Sequence, residues 1–326
     1  MHGRFTIEGF GRHVPERVLT NADLESMVET SDDWITTRTG IKTRYIAGPE
    51  ENTSQLASRA ARKALAMAGL TPADLDMIIV GTITPDMTMP SCACLVQKEL
   101  GASRAFAFDL NAACSGFLYS LDVADKYLRA NPAMNILVIG AETLSSRVNW
   151  QDRNTCVLFG DGAGACVVTG SGAERGILAS RLFADGSLWE LLHLEAAPSR
   201  NPEIQRPGQA DAAIKMVGRE VFKNAVRAMA SAIQQVLVQE GITADRVGLI
   251  IPHQANIRIL QNLADHLSIP MEKIYVNVDK YGNTSAATIP IAIDEANRTG
   301  RLREGDLLLL CSFGGGFTWG ATLIRW

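Results

Sequence analysis

The feature of this sequence that most constrains its fold is an internal repeat of two α/β units. The alanine-rich segment 56–68 is followed by Gly-Leu-Thr and an apolar run at 77–80, and the segment 226–240 is followed by Gly-Ile-Thr and an apolar run at 249–252. Uninterrupted apolar runs of this length are typical of strands that are covered on both faces. Repetition of such a unit within one chain predicts a duplicated architecture.

A second pair of similar segments follows in the same order. Phe-Gly-Asp-Gly at 159–162 precedes one apolar strand, and Phe-Gly-Gly-Gly at 313–316 precedes another. Glycine before an apolar strand is common, so coincidence is the alternative, but two matches in the same order favour duplication. We therefore predict an α/β protein of two similar halves, 1–172 and 173–326, that divide after the small residues of 169–172.

Three reactive side chains lie just after strand-like segments. Cys114 follows the segment 105–110, Asn283 follows the segment 274–278, and His253 comes directly after the apolar run in the second half. In open α/β sheets, reactive groups gather at the carboxyl ends of strands and at the helix N-termini that follow them. We therefore expect these three side chains to converge on one site.

The thiol of Cys114 is a candidate nucleophile. Apolar residues at helical spacing from Phe117 to Leu128 predict an amphipathic helix directly after it. The positive end of the helix dipole stabilises a thiolate at such a position. The alternative is a buried, inert thiol, the common fate of an unpaired cysteine.

His253 and Asn283 each have a structural alternative. A single histidine is more often a packing residue, and an asparagine after a glycine is a frequent turn pairing. The glycines of 314–316 either form a tight turn or direct a backbone N–H into the site as an oxyanion donor. The argument for catalysis therefore depends on all of these groups meeting around Cys114.

Composition argues against several other functions. The net charge of −4 does not suit a general nucleic-acid binder. No apolar run approaches the ~18 residues that cross a bilayer, and the first ten residues lack a signal peptide pattern, so we expect a cytoplasmic protein. Cys92 and Cys94 have no second cysteine or histidine pair nearby, so no metal site is expected. The glycines of 160–164 do not match a nucleotide-binding fingerprint.

A row of basic residues indicates an anionic partner. Lys215, Arg219, Lys223 and Arg227 recur every four residues and so share one side of a predicted helix. A charged row is usually a solvated helix face. Here every member is positive although the chain is net acidic, which favours binding of an anionic partner.

Four segments together resemble β-ketoacyl-acyl-carrier-protein synthase III, a condensing enzyme family of the thiolase superfamily. They are Asn-Ala-Ala-Cys-Ser-Gly-Phe at 111–117, His-Gln-Ala-Asn at 253–256, Gly-Asn-Thr-Ser-Ala at 282–286 and Gly-Gly-Gly-Phe-Thr-Trp-Gly at 314–320. The resemblance extends over essentially the whole chain, with the motifs in the family's order and at its spacing.

The resemblance implies a thiolase-like five-layered αβαβα fold from two duplicated halves, and a homodimer. It implies condensation of a short acyl-coenzyme A with malonyl-acyl-carrier protein, which initiates fatty acid biosynthesis. Cys114 would be the acylated nucleophile, with His253 and Asn283 as the decarboxylation pair. The backbone N–H groups of Cys114 and Gly315 would hold the oxyanion. No metal or redox cofactor is implied, because acyl-coenzyme A is itself a substrate.

The resemblance also implies binding residues for both substrates. Those that match the coenzyme A-binding segment are Trp34, Arg38 and Arg153. Those that match the acyl-carrier-protein contact region are Gln254, Ala255, Asn256, Ile257 and Arg258, with Lys223 as a further basic contact. The sequence departs from relatives at Met89, where phenylalanine is frequent, and at Asp265 and His266, where some relatives have lysines.

Three other functions remain open from the sequence. A related condensing enzyme of polyketide or quinolone type, or one that uses malonyl-coenzyme A, would share these motifs. A cysteine hydrolase is less favoured, although Cys, His and Asn also occur in that order in papain-like enzymes. A catalytically silent binding subunit is less favoured still, because all three reactive groups are present. The acyl primer is not fixed by the sequence, and acetyl is the expected one.

Overall fold

The computed structural model of the chain describes residues 4–171, 175–194 and 213–326. The strands are β1 (Arg4–His13), β2 (Arg17–Thr20), β3 (Thr43–Ile46), β4 (Met77–Gly81), β5 (Phe106–Leu110), β6 (Asn135–Thr143), β7 (Asp161–Ser171), β8 (Gly176–Ala184), β9 (Leu192–Leu194), β10 (Ile214–Met216), β11 (Leu249–Pro252), β12 (Leu307–Gly314) and β13 (Thr318–Arg325). The helices are α1 (Asn21–Glu25), α2 (Asp32–Thr39), α3 (Thr53–Ala68), α4 (Cys92–Leu100), α5 (Gly116–Ala130), α6 (Gly218–Glu240), α7 (Ile257–Leu267), α8 (Val278–Tyr281) and α9 (Thr288–Arg298). Within those ranges, none of the helices has the length and apolarity needed to cross a lipid bilayer.

The repeat that the sequence predicts corresponds to the same succession of elements in each half. Gly69 ends α3 and Gly241 ends α6, and both take the left-handed backbone conformation, with φ of 68° and 62°. Glycine adopts this conformation without the steric cost that a side chain adds. A 3-10 turn then leads into a fully buried strand, β4 in one half and β11 in the other.

The first sheet takes its strands from the described residues 4–171, in the order β1-β7-β6-β4-β5. β4 runs parallel to β5 and β6, whereas β7 runs antiparallel to β6 and β1. Parallel neighbours end at the same edge of a sheet, so the carboxyl ends of β4, β5 and β6 lie together.

The second sheet has the order β11-β12-β13-β8 and takes its strands from residues 176–325. β11 runs parallel to β12, and β13 runs antiparallel to β12 and β8. The predicted boundary between residues 172 and 173 lies outside the described residues. The strands before and after it belong to different sheets.

The helices pack in three layers around the two sheets. α5 and α9 share one apolar cluster with strands of both sheets, through residues such as Phe117 and Ile289, so they lie between the sheets. α3 and α4 cover the outer face of the first sheet, and α6 and α7 cover that of the second. This order confirms the five-layered αβαβα fold that the sequence predicts.

The segment 274–278 is not the strand that its sequence favours. Only its first residue forms a β-bridge, and α8 begins at its last residue. The buried amide of Gln254 replaces a strand partner, because it donates to Tyr275 O and accepts from Asn277 N, each at 3.0 Å. These bonds satisfy backbone groups that would otherwise pair in a sheet.

Candidate active site

Cys114 lies after β5 in a short 3-10 turn, Ala113–Ser115, that leads into α5. Two hydrogen bonds hold this turn against the second sheet. Ser312 Oγ donates to Ser115 Oγ at 2.6 Å, and Ser115 Oγ donates to Thr318 O at 3.1 Å. The thiol is therefore fixed at the junction of the two sheets.

Gly314, the last residue of β12, permits the close approach of the two halves at this point. A Cβ at Gly314 would lie 2.6 Å from the backbone nitrogen of Cys114, and close-packed interiors do not accommodate so short a contact. The next two residues, Gly315 and Gly316, line the same cavity as Cys114. The glycine run thus brings backbone of the second half beside the nucleophile.

The surroundings of Cys114 do not lower the pKa of its thiol as the helix N-terminus would suggest. The side chain opens partly to the cavity, but burial raises the pKa of the thiol to about 12. Ser285 acts in the opposite direction, and the charge of Glu142 raises the thiol pKa further. The resting residue is therefore a protonated thiol.

His253 follows β11 and is buried, with 3% of its surface exposed. Its Nδ1 lies 2.6 Å from Thr288 Oγ1, which lies 3.0 Å from Ser285 O. Burial lowers the pKa of His253 to about 3, so the imidazole is neutral at physiological pH. The ring therefore carries a single proton, on one nitrogen or the other.

Asn283 is held by its backbone and by one side-chain oxygen. Its N–H donates to Leu158 O at 2.8 Å, and its Oδ1 accepts from Ser285 N at 2.9 Å. Because Oδ1 is engaged by a backbone N–H, the opposite end of the amide is identified as the NH₂ group. Asn283 lines the cavity, and its Nδ2 is left to donate into it.

A single cavity of about 950 Å³ joins the three reactive groups. Cys114, His253, Asn283 and Gly315 all line it, as the sequence predicts. Most of the remaining lining is apolar, from residues such as Leu144 and Phe222 of the two halves. A mostly apolar cavity with a few converging polar groups suits a thioester whose acyl chain is apolar.

Trp34, on α2, lines this cavity, and two arginines lie close to its ring. The guanidinium carbon of Arg38 is 4.5 Å from the Trp34 ring centre, and that of Arg153 is 5.2 Å from it. Trp34 and Arg38 line the cavity, whereas Arg153 is not part of its lining and donates to Glu29 O at 3.0 Å. An aromatic face with two guanidinium groups suits a ligand that combines an aromatic base with phosphates.

The predicted contacts with a carrier protein fall into two groups. Arg258 and Lys223 are exposed, and Ala255, Asn256 and Ile257 are half-buried beside them. Gln254 does not belong with these, since it is 1% exposed and its amide bonds only to backbone groups within the chain. Its role is to hold the backbone after β11, and we withdraw it as a surface contact.

The basic row has a different geometry from the predicted one. Lys215 lies on β10 rather than on a helix, because α6 begins at Gly218. Arg219, Lys223 and Arg227 are exposed on α6, and Arg219 lines the cavity. The positive surface beside the cavity opening is therefore built by α6 together with Arg258.

Three polar residues near the reactive groups have no role predicted from the sequence: Glu142, Thr288, and Ser285, which lies within the motif at 282–286. Glu142 lies near the end of β6 and is fully buried, and burial raises the pKa of its carboxyl to about 7. Its signal in the sequence is a carboxylate at the end of an apolar strand, a position where acidic residues are rare. The other two reveal their placement only in the folded chain.

The fold and the shared cavity define the class of protein as one with the thiolase fold, and comparisons with known proteins identify its family. Two family models match, 3-oxoacyl-acyl-carrier-protein (ACP) synthase III at residues 108–186 and the C-terminal model of the same enzyme at residues 237–326. The β-ketoacyl-acyl-carrier-protein synthase III of Desulfotalea psychrophila is 57% identical over 98% of this chain and 99% of its own length. That of Aquifex aeolicus is 53% identical over the same shares.

Solved structures agree with these relatives. The crystal structure of 3-oxoacyl-acyl-carrier-protein synthase III from Aquifex aeolicus superposes with a TM-score of 0.93, at 52% identity over 99% of this chain and 100% of that one. The priming β-ketosynthase of the R1128 polyketide pathway has a TM-score of 0.90, at 32% identity over 99% of this chain and 97% of that one. The chain belongs to the β-ketoacyl-acyl-carrier-protein synthase III family of acyl-transferring condensing enzymes, which confirms the resemblance read from its motifs.

Proposed function

We propose that the protein condenses a short acyl-coenzyme A, expected to be acetyl-coenzyme A, with malonyl-acyl-carrier protein. The products are β-ketoacyl-acyl-carrier protein, coenzyme A and carbon dioxide, and the reaction starts fatty acid biosynthesis. One observation carries the proposal: Cys114, His253 and Asn283 line one cavity in a chain of this family. The steps use acyl-coenzyme A as a substrate and require no metal or redox cofactor.

In the first step, the Cys114 sulfur attacks the thioester carbonyl and coenzyme A leaves. Negative charge develops on the carbonyl oxygen, and the backbone N–H groups of Cys114 and Gly315 are the proposed donors to it. The packing of Gly314 against the Cys114 nitrogen supports this role, because it keeps the two halves close at the glycine run. Loss of one such donor typically costs ~10²–10³ in rate.

In the second step, malonyl-acyl-carrier protein loses carbon dioxide, and the resulting carbanion attacks the acyl-cysteine. His253 and Asn283 are the proposed donors to the thioester oxygen, where enolate charge develops. The Asn283 amide already directs Nδ2 toward the cavity, since its Oδ1 is engaged by Ser285 N. The neutral His253 donates through Nε2 when Thr288 donates to its Nδ1.

Substrate binding is proposed at two neighbouring surfaces. Trp34, Arg38 and Arg153 are the proposed contacts with coenzyme A, supported by the paired guanidinium groups around the indole. Arg258 and Lys223 are the proposed basic contacts with the carrier protein, with Ala255, Asn256 and Ile257 around Arg258. Charge complementarity supports this placement, since a carrier protein that delivers to this cavity must approach a positive rim.

We extend the proposal to the assembly and its location. The chain would consist of two duplicated halves, 1–172 and 173–326, and would act as a homodimer in the cytoplasm. An exposed apolar edge supports the dimer: β5 is the edge strand of the first sheet, and its residue Phe106, 45% exposed, contacts the tilted ring of Tyr127, which is 40% exposed. A catalytic thiol supports the location, because it must remain reduced.

The test is to incubate the protein with a panel of acyl-coenzyme A thioesters and to locate the adduct by peptide mass spectrometry. Acylation of Cys114, greatest with acetyl-coenzyme A, is the expected result. His253→Ala and Asn283→Ala should still acylate Cys114 but should not condense it with malonyl-acyl-carrier protein. Condensation at the wild-type rate by the Asn283→Ala variant would refute the assigned roles, and free acid as the main product would indicate a hydrolase.

A second candidate is priming of a polyketide with another starter, supported by the likeness to the R1128 priming synthase. The large, mostly apolar cavity has room for a longer chain than acetyl. The same panel separates the two candidates, because preference for a longer or branched starter favours the second. Comparison of malonyl-coenzyme A with malonyl-acyl-carrier protein identifies the extender.

A further inference from the structure

The acyl-transfer step needs a group that takes the proton of the Cys114 thiol. His253, which lines the same cavity, is poorly suited, because burial lowers its pKa to about 3 and its Nδ1 is engaged by Thr288. Glu142 is the more basic buried group near the thiol, since burial raises its pKa to about 7. The geometry around Glu142 shows how it is connected to Cys114.

The two carboxylate oxygens of Glu142 are not equally engaged. Oε2 accepts from the hydroxyls of Thr82 and Thr84, at 3.1 and 2.6 Å, and from the backbone N–H groups of Ile83 and Thr84, each at 3.1 Å. Within the described residues, Oε1 receives only the Ile83 N–H, at 3.3 Å. A carboxylate oxygen has two lone pairs, so Oε1 has room for another donor.

The face of β6 that carries Glu142 packs against the turn Ser285–Ala287. Gly140 lies two residues before Glu142 and so shares its face of the strand. A Cβ at Gly140 would lie 2.1 Å from Ala286 O, which shows that the strand and this turn are in direct contact. Glu142 therefore projects toward this turn, which also contacts the 3-10 turn Ala113–Ser115 that carries the nucleophile.

Ser285 lies at the centre of this arrangement. It is 1% exposed, its φ of 49° is in the left-handed region, and its hydroxyl has no hydrogen-bond partner in the described part of the chain. An unpaired buried hydroxyl costs free energy, and a non-glycine residue in this backbone region is strained. Ser285 lines the cavity together with Cys114, and its side chain lowers the pKa of both Cys114 and Glu142.

We propose that the Ser285 hydroxyl relays the proton of the Cys114 thiol to Glu142 as the sulfur attacks the acyl thioester. The thiol proton passes to Ser285 Oγ, the Ser285 proton passes to Glu142 Oε1, and the sulfur forms its bond to the carbonyl carbon. When the carbonyl reforms, the bond to the coenzyme A sulfur breaks, and the proton returns from Glu142 to that sulfur. This inference rests on the proposed acyl transfer to Cys114 and identifies its proton acceptor.

The relay keeps the buried charge constant. Before transfer the carboxylate carries the negative charge, and after transfer the charge is on the sulfur and then on the oxyanion. The Glu142 carboxylate and the Cys114 thiolate are never both charged at the same time. This avoids the repulsion between them, through which Glu142 raises the thiol pKa. A second buried charge without a partner would be strongly unfavourable.

Other titratable groups near Glu142 do not replace it. Burial raises the pKa of Cys92, at the start of α4, and the charges of Asp86, Asp109 and Glu142 raise it further. This thiol therefore stays protonated. Asp161, on the adjacent strand β7, is turned to Ser145 and to the backbone of Ala47. Of these groups, Glu142 is the one whose face of β6 packs against the turn that carries Ser285.

The experiment measures single-turnover acylation of Cys114 by acetyl-coenzyme A, by quenched-flow mass spectrometry, from pH 5.5 to 9. The Glu142→Gln variant keeps an oxygen for the donors at Oε2 and places NH₂ toward Ser285, so it cannot accept the proton. Ser285→Ala keeps the carboxylate and both backbone contacts of residue 285. The control activity is decarboxylation of a malonyl thioester, which uses His253 and Asn283 and not the thiol proton.

We expect E142Q and S285A each to slow acylation by about 10²-fold, the usual contribution of a general base, with decarboxylation within about threefold of wild type. The wild-type acylation rate should fall as the pH falls through about 7, because a protonated carboxyl accepts no proton. E142Q should lose this inflection, and Glu142→Asp should recover it at a reduced rate. A purely structural role would leave the inflection in place.

Wild-type acylation by E142Q with an unchanged pH profile would overturn the relay, and so would equal loss of acylation and decarboxylation in both variants. If E142Q does not fold, the acylation rate of S285A alone tests the relay. Labelling of a residue other than Cys114 in the wild-type protein would instead overturn the proposed function. The two failures are therefore distinguishable.

Discussion

His253 Nδ1 lies 2.6 Å from Thr288 Oγ1, deep in the buried floor of the cavity. The Thr288 hydroxyl has one proton and two acceptors within reach, His253 Nδ1 and Ser285 O at 3.0 Å. When it donates to Nδ1, the imidazole proton is on Nε2, where it can be donated into the cavity. When it donates to Ser285 O instead, Nδ1 carries the proton, so the orientation of the Thr288 hydroxyl sets whether the tautomer that enolate stabilisation requires is present.

Thr288→Val should lower the rate of malonyl thioester decarboxylation by about tenfold or more. Valine preserves the volume but leaves Nδ1 buried without a partner, and loss of a buried hydrogen bond costs ~1–3 kcal/mol. Acylation of Cys114 should change little, because it does not use the Nε2 proton. Steady-state decarboxylation and single-turnover acylation measure the two effects, and Thr288→Ser should restore the first. Equal losses in both steps would argue against tautomer control.

Gly314→Ala should reduce acylation of Cys114 by about 10²-fold or more. The new Cβ would lie 2.6 Å from the Cys114 nitrogen, so the turn must shift away from the glycine run and the proposed oxyanion donors would separate. Gly186→Ala is the matched control, because a Cβ at Gly186 would have no heavy atom within 4 Å. Single-turnover rates and melting temperatures of both variants are the measurement. A wild-type acylation rate in Gly314→Ala would show that the close approach is dispensable.

The free energy of unfolding should depend on pH through two buried groups with opposite signs. Burial lowers the pKa of His253 to about 3, so below pH 6.5 the unfolded chain binds a proton that the folded chain excludes, and stability falls with falling pH. Burial raises the pKa of Glu142 to about 7, so between about pH 4.5 and 7 the folded chain retains a proton that the unfolded chain loses. That group makes stability fall as the pH rises.

The His253→Ala and Glu142→Gln variants separate these contributions. As the pH falls from 6.5 to 5, His253→Ala should lose less stability than wild type, by about 1 kcal/mol per pH unit. As the pH rises from 5 to 7, Glu142→Gln should lose less stability than wild type. Urea unfolding at several pH values provides the comparison. Parallel pH profiles for wild type and both variants would contradict the two pKa directions.

Lys223→Glu and Arg258→Glu should weaken the use of malonyl-acyl-carrier protein without affecting malonyl-coenzyme A. Both cations are exposed, Arg258 lines the cavity, and Lys223 lies one helical turn after Arg219, which also lines it. Reversal of a charge at the rim of an interface mainly slows association. We expect KM for the carrier protein to rise about tenfold at low salt, and less at high salt. Lys98→Glu, on α4 at the outer face of the first sheet, is the control. An equal effect from the control would remove the argument for a specific surface.

The sequence by itself determined the duplicated α/β architecture and the family. Buried strands such as β4 and β11 are continuous apolar runs, and glycines such as Gly69 and Gly241 end the helices before them. These features depend on residues that are consecutive in the chain, so the sequence shows them directly. The motifs that contain Cys114, His253 and Asn283 are equally local. Their position after apolar segments was enough to predict that they meet, although one of those segments, 274–278, is not a strand.

Only the tertiary structure decided what surrounds those groups. Gln254 lies within a family motif, yet its amide bonds to the backbone of Pro252, Tyr275 and Asn277. Lys215 has the four-residue spacing of a helix face but lies on strand β10. The raised pKa values of Cys114 and Glu142 arise from burial among residues far apart in the chain. Burial and electrostatic coupling are properties of packed neighbours, and no local pattern encodes which neighbours those are.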